Sequence, residues 1–139
     1  NGKNSTKDYR IIEKGDSTIR NGEYLEERYF KNRLVLEISK PTRDVYKYYS
    51  KDVLKSKTRY RDEQLYTIEK FNKNGNSIYT KQNNYLDALK IYTDLSAKEY
   101  NADGLLSSDK KTHITKEART ENNYEYRYQG TRLNVIRTG

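Results

Sequence analysis

The chain has no cysteine, methionine or tryptophan, a single proline (Pro41) and a single histidine (His113). Without cysteine there is no disulfide, no thiolate metal site and no thiol nucleophile. One histidine is too few for an ordinary zinc site. No apolar run approaches the ~18 residues needed to span a bilayer as a helix. Large aliphatics are scarce as well: Leu, Ile, Val and Phe make up 26 of 139 residues, and the net charge is +8. That combination borders on the composition of disordered chains. What is plentiful is tyrosine. Fifteen Tyr raise the large apolar and aromatic total to 41. Tyrosine packs a wide ring, keeps its hydroxyl available for hydrogen bonding and favours strands, so the expected product is a thin, Tyr-rich all-β structure.

The last third carries the plainest pattern. Tyr124, Tyr126 and Tyr128 alternate with Glu125, Arg127 and Gln129; Gly130 supplies a turn, and Leu133 and Val135 resume the alternation. A period of two places rings on one strand face and charge on the other, which predicts a β-hairpin with one wet face. Upstream, Lys14-Gly15-Asp16 reads as a turn, and Asn21-Gly22 as a type I′ turn with Glu23–Phe30 as its return strand. Lys31-Asn32-Arg33 predicts a tight turn, and Pro41 ends the strand carrying Leu34, Leu36 and Ile38. Strands are expected over Val45–Tyr49, Val53–Tyr60, Leu65–Phe71 and Ser77–Lys81, with Arg61-Asp62-Glu63-Gln64 and Asn72-Lys73-Asn74-Gly75-Asn76 as connections. Between Asn83 and Ala97 the apolar residues fit helical and strand spacing equally, leaving a short helix near 84–95 or a strand. Ser107–Asn123 has Ile114 as its sole large aliphatic and reads as a long loop. The expected organisation is a polar N-terminal tether over 1–7 and one β domain over 8–139, its tandem antiparallel hairpins forming one broad sheet or an open roll. A start at Asn, without Met, leads us to expect export to the periplasm or cell surface, with a removed leader or lipid anchor; a cytoplasmic protein is the alternative.

The turns line up as aromatic, turn formers, aliphatic: Tyr29-Phe30…Leu34, Tyr48-Tyr49…Val53-Leu54, Phe71…Ile78, Tyr100…Leu105-Leu106 and Tyr128…Leu133. Aromatics at Phe30, Tyr49, Phe71, Tyr100 and Tyr128 are spaced by 19, 22, 29 and 28 residues, a drifting version of the fixed period of a repeat array. Glu99–Leu106 and Tyr124–Leu133 resemble bacterial YD (Rhs-type) repeats, and Asn21–Leu34 resembles MORN-like repeats of short hairpins. Ser50, Asn72, Asn101 and Gln129 stand where the first pattern has Asp. The resemblance implies a binding or scaffold module, of the kind found on cell envelopes or beside secreted toxins, and supplies no catalytic residues.

Among candidate sites, His113 follows Lys110 and Lys111 with no partner constellation nearby in sequence, so a solvated surface histidine outweighs a general base. No phosphate-binding glycine loop or nucleophile elbow is present, and no cofactor or metal is expected. The candidate contact surface is Tyr46, Lys47, Tyr48, Tyr124, Tyr126, Arg127 and Tyr128; the competing reading makes the same rings the core. The expected function is non-enzymatic: a cell-envelope repeat protein holding a protein, an anionic glycan or an envelope surface through its Tyr-rich face. A sheet that binds single-stranded nucleic acid is an alternative, because rings interleaved with Lys and Arg are suited to stacking and phosphate contact. A toxin-binding immunity protein is another, although +8 argues against basic toxins as targets.

Overall fold

The structure, a computed structural model, describes residues 10–50, 52–130 and 132–138. The proposed tether over 1–7 lies outside the described residues. Among the described residues, twelve strands form one sheet in strict sequence order: β1 (Arg10–Lys14), β2 (Ser17–Asn21), β3 (Glu26–Phe30), β4 (Arg33–Ser39), β5 (Thr42–Tyr48), β6 (Leu54–Arg61), β7 (Gln64–Phe71), β8 (Ser77–Leu86), β9 (Leu89–Tyr100), β10 (Leu106–Thr115), β11 (Arg119–Gln129) and β12 (Arg132–Thr138). Every neighbouring pair is antiparallel. Backbone packing joins each strand only to its neighbours, so the protein is a one-dimensional array of hairpins, open at β1 and β12. The all-β expectation holds.

The array is one layer thick. Among the described residues no hydrophobic side chain is fully buried; the buried residues are Asp44, Asn83, Thr93, Asp109 and Thr112. The accessible surface is 10665 Å², against roughly 7,600 Å² for a compact globule of this mass. Burial therefore comes from neighbours within the sheet, and polar groups are acceptable wherever a partner stands on the next strand. The Thr93 hydroxyl donates to Asn83 Oδ1 at 2.7 Å, and Asn83 Nδ2 donates to the Leu65 carbonyl at 3.1 Å. Asn83→Leu is expected to cost about 1–3 kcal/mol, because it leaves the buried Thr93 hydroxyl without its acceptor; a urea titration reads the loss.

Three sequence expectations are corrected. The segment 84–95 contains no helix: β8 runs to Leu86 and β9 starts at Leu89, across a two-residue turn in which Asp87 and Ala88 have φ of 48° and 65°. Ser107–Asn123 is two paired strands around a three-residue connection rather than a long loop. Its polar residues suit a single-layer strand, and Asp109 and Thr112 are among the most buried in the protein. Asn21-Gly22 does not form the hairpin turn: Asn21 pairs with Glu26, and Gly22–Leu25 makes a four-residue loop closed by the Gly22 N–H on the Leu25 carbonyl at 2.7 Å. This register sets Arg20 opposite Glu27, an ion pair at 3.8 Å.

Left-handed backbone at both turn positions also occurs at Lys31-Asn32 and Asp62-Glu63, the sign pattern of type I′ hairpins. Ala88 gains nothing in return from a side-chain bond to the backbone, as Asn does. Ala88→Gly is expected to stabilise the fold by about 1 kcal/mol, seen as a higher melting temperature.

Six ladders contain a bulge, always on the strand leaving the turn: the extra residues are Val35, Lys55, Tyr66, Ile78, Ile91 and Ser107. A bulge bends its strand and raises the local twist, and it interrupts pairing with the next strand. At four of the six, a tyrosine of that next strand repairs the break. Tyr48 Oη donates to the Leu34 carbonyl at 2.7 Å, Tyr85 to Leu65 at 2.7 Å, Tyr100 to Ser77 at 2.6 Å and Tyr128 to Leu106 at 3.0 Å. The geometry repeats. Each ladder ends at Leu36↔Val45, Thr67↔Gln82, Tyr79↔Ala97 or Ser108↔Glu125; the carbonyl lies two residues before the first partner and the tyrosine three residues after the second. At the β6 bulge the equivalent ladder ends at Ser56↔Lys70, which makes the corresponding residue Lys73; here Tyr49 Oη reaches past β6 to the Phe71 carbonyl at 2.8 Å.

The five aromatic-turn-aliphatic units are thus the hairpins β3–β4, β5–β6, β7–β8, β9–β10 and β11–β12, whose turns share one end of the sheet. Two of those turns are copies of one device. Asn72 Oδ1 accepts the N–H groups of Asn74 and Asn76, and Asn101 Oδ1 those of Asp103 and Leu105. Gly75 and Gly104 follow with φ of 85° and 79°, conformations that glycine adopts without strain.

Candidate functional site

Register determines which side chains meet. Following the ladders from β5 to β11, one face carries Asp44 and Tyr46, then Lys57 and Arg59, Thr67 and Glu69, Thr80 and Gln82, Asp94 and Ser96, Lys111 and His113, and Asn122 and Tyr124. The sheet curls toward this face, and residues of β6 through β11 line one open groove of about 530 Å³. Its floor carries polar side chains, notably Thr67, Thr80, Gln82, Ser96 and Asn122, while Ile68 and Leu95, which also line it, alternate onto the opposite face. A second cleft on β3–β6 is bordered by Phe30, Arg33, Val35, Tyr46, Tyr48 and Lys55.

Charges in the groove are arranged in pairs. Arg59 grips Asp44 through Nε at 2.8 Å and Nη2 at 2.9 Å, a two-pronged contact to a carboxylate with 4% of its side chain exposed. The Asp44 carboxylate holds the Arg59 guanidinium above its ordinary pKa. Across the groove, His113 Nδ1 lies 2.6 Å from Asp94 Oδ1 while the His113 ring packs against Tyr92 at a 40° tilt, the ring centroids 5.0 Å apart. A carboxylate only accepts, so the proton sits on Nδ1 and Nε2 is left for the groove. At the two ends, Lys57 Nζ stands 5.5 Å from the Tyr46 ring and Lys111 Nζ 5.4 Å from the Tyr124 ring, within cation–π range. From the ~4.8 Å strand spacing, Lys57 and Lys111 are separated by roughly 19 Å along the groove.

The seven sequence-chosen residues divide. Tyr46, Tyr48, Tyr124, Tyr126 and Tyr128 alternate onto the grooved face and are half-buried, whereas Lys47 and Arg127 are exposed and alternate onto the opposite face. The rings form two groups on strands β5 and β11, one beyond each end of the groove, rather than one platform. None is fully buried, and Tyr48 and Tyr128 spend their hydroxyls on the backbone of the neighbouring strand. The groove floor and the His113–Asp94 pair were invisible in the sequence, since both depend on a register that bulges shift. Among the described residues no cluster of His, Cys, Asp and Glu has metal-binding geometry.

Burial pushes the hydroxyls of Tyr46, Tyr48 and Tyr100 above their ordinary pKa, with Asp44 adding to the effect at Tyr46 and Asp109 at Tyr100; at Tyr29 the bond to Glu27 is the main cause. A folded pKa raised above the unfolded value near 10 contributes stability that is complete below about pH 10 and lost as pH climbs through the folded value. Alkaline unfolding is expected, with tyrosinate absorbance and the loss of the β circular-dichroism signal rising together above pH ~10.

No protein-family model matches the chain, and a search of the curated proteins finds no match.

Proposed function

We propose that the protein is a non-enzymatic binding module that holds a macromolecular partner across its grooved face, at a bacterial cell envelope. The observation that carries this reading is the groove itself: six strands contribute hydrogen-bonding side chains to one continuous floor, with a lysine seated on a tyrosine at either end. The surface crosses six strands and is open along its length, which suits an extended chain. The net charge of +8 favours an anionic partner, and the resemblance to YD and MORN-like repeats supports the envelope setting.

The test is amide chemical-shift mapping on the labelled protein with three extended anionic probes: an acidic oligosaccharide, a single-stranded oligonucleotide and an acidic peptide. Shifts concentrated at Thr67, Thr80, Gln82 and Ser96 with any of them are the expected result. Shifts with none, or shifts confined to Lys47 and Arg127 on the opposite face, refute the reading.

A further inference from the structure

We infer that the chain laid in the groove is a linear acidic polysaccharide. The inference rests on the binding reading above and names its ligand class. Three features of the floor decide between the extended anions.

A single-stranded nucleic acid requires a run of phosphate-binding cations and ring faces on which bases stack. In the groove, carboxylates of Glu69 and Asp94 stand among the cations, where they would repel a chain that carries a charge on every unit and leave room only for one whose charges are spaced apart. The ring faces of Tyr46 and Tyr124 are taken by Lys57 and Lys111, and that of Tyr92 by His113.

A polypeptide gains most of its affinity from apolar anchors set into pockets, or from pairing with a free strand edge. Between β6 and β11 every strand is already paired on both sides, and the two aliphatic residues that line the groove, Ile68 and Leu95, alternate onto the opposite face.

A sugar chain presents what remains: many hydroxyls, each donor and acceptor, and apolar ring faces that pack on the aliphatic stems of lysine and threonine. Thr67, Thr80 and Ser96 hydroxyls, the Gln82 and Asn122 amides, and the Glu69 and Asp94 carboxylates supply both donors and acceptors along the floor. Lys57 and Lys111 sit toward the ends, placed to meet carboxylates carried at intervals on the chain; Lys57 stands opposite Glu69, whose carboxylate accepts from Ser77, and the carboxylates nearest Lys111 on its face, Asp94 and Asp109, are bonded to His113 and Ser96. Sparse cations above a mixed floor match sparse anions, as in a polymer with one uronic acid per disaccharide, better than one charge per unit.

The experiment uses isothermal titration and chemical-shift mapping on the intact protein with a hyaluronan oligomer and an unsulfated chondroitin oligomer, each with one carboxylate per two sugars, set beside a neutral glucose hexamer, an oligonucleotide and an acidic peptide. At least one acidic sugar is expected to bind with shifts centred on Thr80 and Ser96, about tenfold more tightly than the neutral chain, and to weaken by about tenfold in a Lys57→Glu, Lys111→Glu double variant. Both lysines are at the surface, and an unchanged melting temperature verifies that the variant is folded. If none of the acidic sugars shifts the groove, or the oligonucleotide or peptide shifts it at equal or higher affinity, the inference is wrong. In the second case the groove remains a binding surface and only its ligand class is overturned; silence from every probe removes both.

Discussion

Replacing Tyr85, Tyr100 and Tyr128 together by phenylalanine is expected to lower the unfolding free energy by about 3 kcal/mol, roughly 1 kcal/mol for each hydroxyl removed. The rings stay, so packing and strand propensity are almost unchanged; what goes is a hydroxyl donor to each of the carbonyls of Leu65, Ser77 and Leu106 beyond the bulges, Leu65 alone keeping a second donor in the Asn83 amide. In a fold whose total stability is on the order of 5–15 kcal/mol, that loss is a large share. The effect is also expected to be close to additive, because Tyr85 acts on β7–β8, Tyr100 on β8–β9 and Tyr128 on β10–β11, and strands meet only their neighbours. Tyr24→Phe is the control. Tyr24 is 80% exposed, and its hydroxyl deletion is expected to change nothing measurable. Urea titrations of the three single variants, the triple and the control supply the comparison.

Arg59→Met is expected to be the most damaging single substitution, at about 3–5 kcal/mol. It removes both prongs that hold Asp44 and leaves a carboxylate that is 3% exposed without a cation. Arg59 itself is nearly half exposed, so lost packing contributes little and the cost is that of the stranded charge. The partner substitution separates the two. Adding Asp44→Asn to Arg59→Met is expected to recover most of the loss, since a neutral amide at position 44 no longer demands a counter-charge. A double variant as unstable as Arg59→Met alone would show that the arginine acts through packing instead.

Sequence reading reaches the parts of this fold that are local. The alternation at Tyr124, Tyr126 and Tyr128, the Asn-x-x-Gly turns at Asn72 and Asn101, and the end of β4 at Pro41 each follow from a few adjacent residues. It fails where the sheet's thinness changes the rules. In a two-layer domain a strand buries one apolar face, so the polar run from Ser107 to Asn123 looks like a loop; in a single layer Asp109 and Thr112 are buried by their lateral neighbours and the run is two strands. The turn at Asp87-Ala88 was hidden because alanine rarely takes a positive φ.

The candidate site was half legible for a related reason. Period two correctly places the five tyrosines on one side of their strands and Lys47 and Arg127 on the other, yet gives no hint that β5 and β11 border a common groove. That depends on five one-residue register shifts between β5 and β10, each of which changes what stands opposite what. His113 and Asp94 are nineteen residues apart in sequence and become neighbours only once the shift at Ser107 in the β9–β10 ladder is known.

The claim beneath all of this is that hydrogen bonds along and across the strands, tyrosine hydroxyls included, hold the sheet together in place of an apolar core. Differential scanning calorimetry tests it most directly, because the heat capacity of unfolding reports the apolar surface released. A compact domain of 139 residues would give about 1.7–2.1 kcal/mol/K. A coreless single layer predicts a value well below that range, while a value inside it would mean that an apolar core exists and would contradict the single-layer sheet.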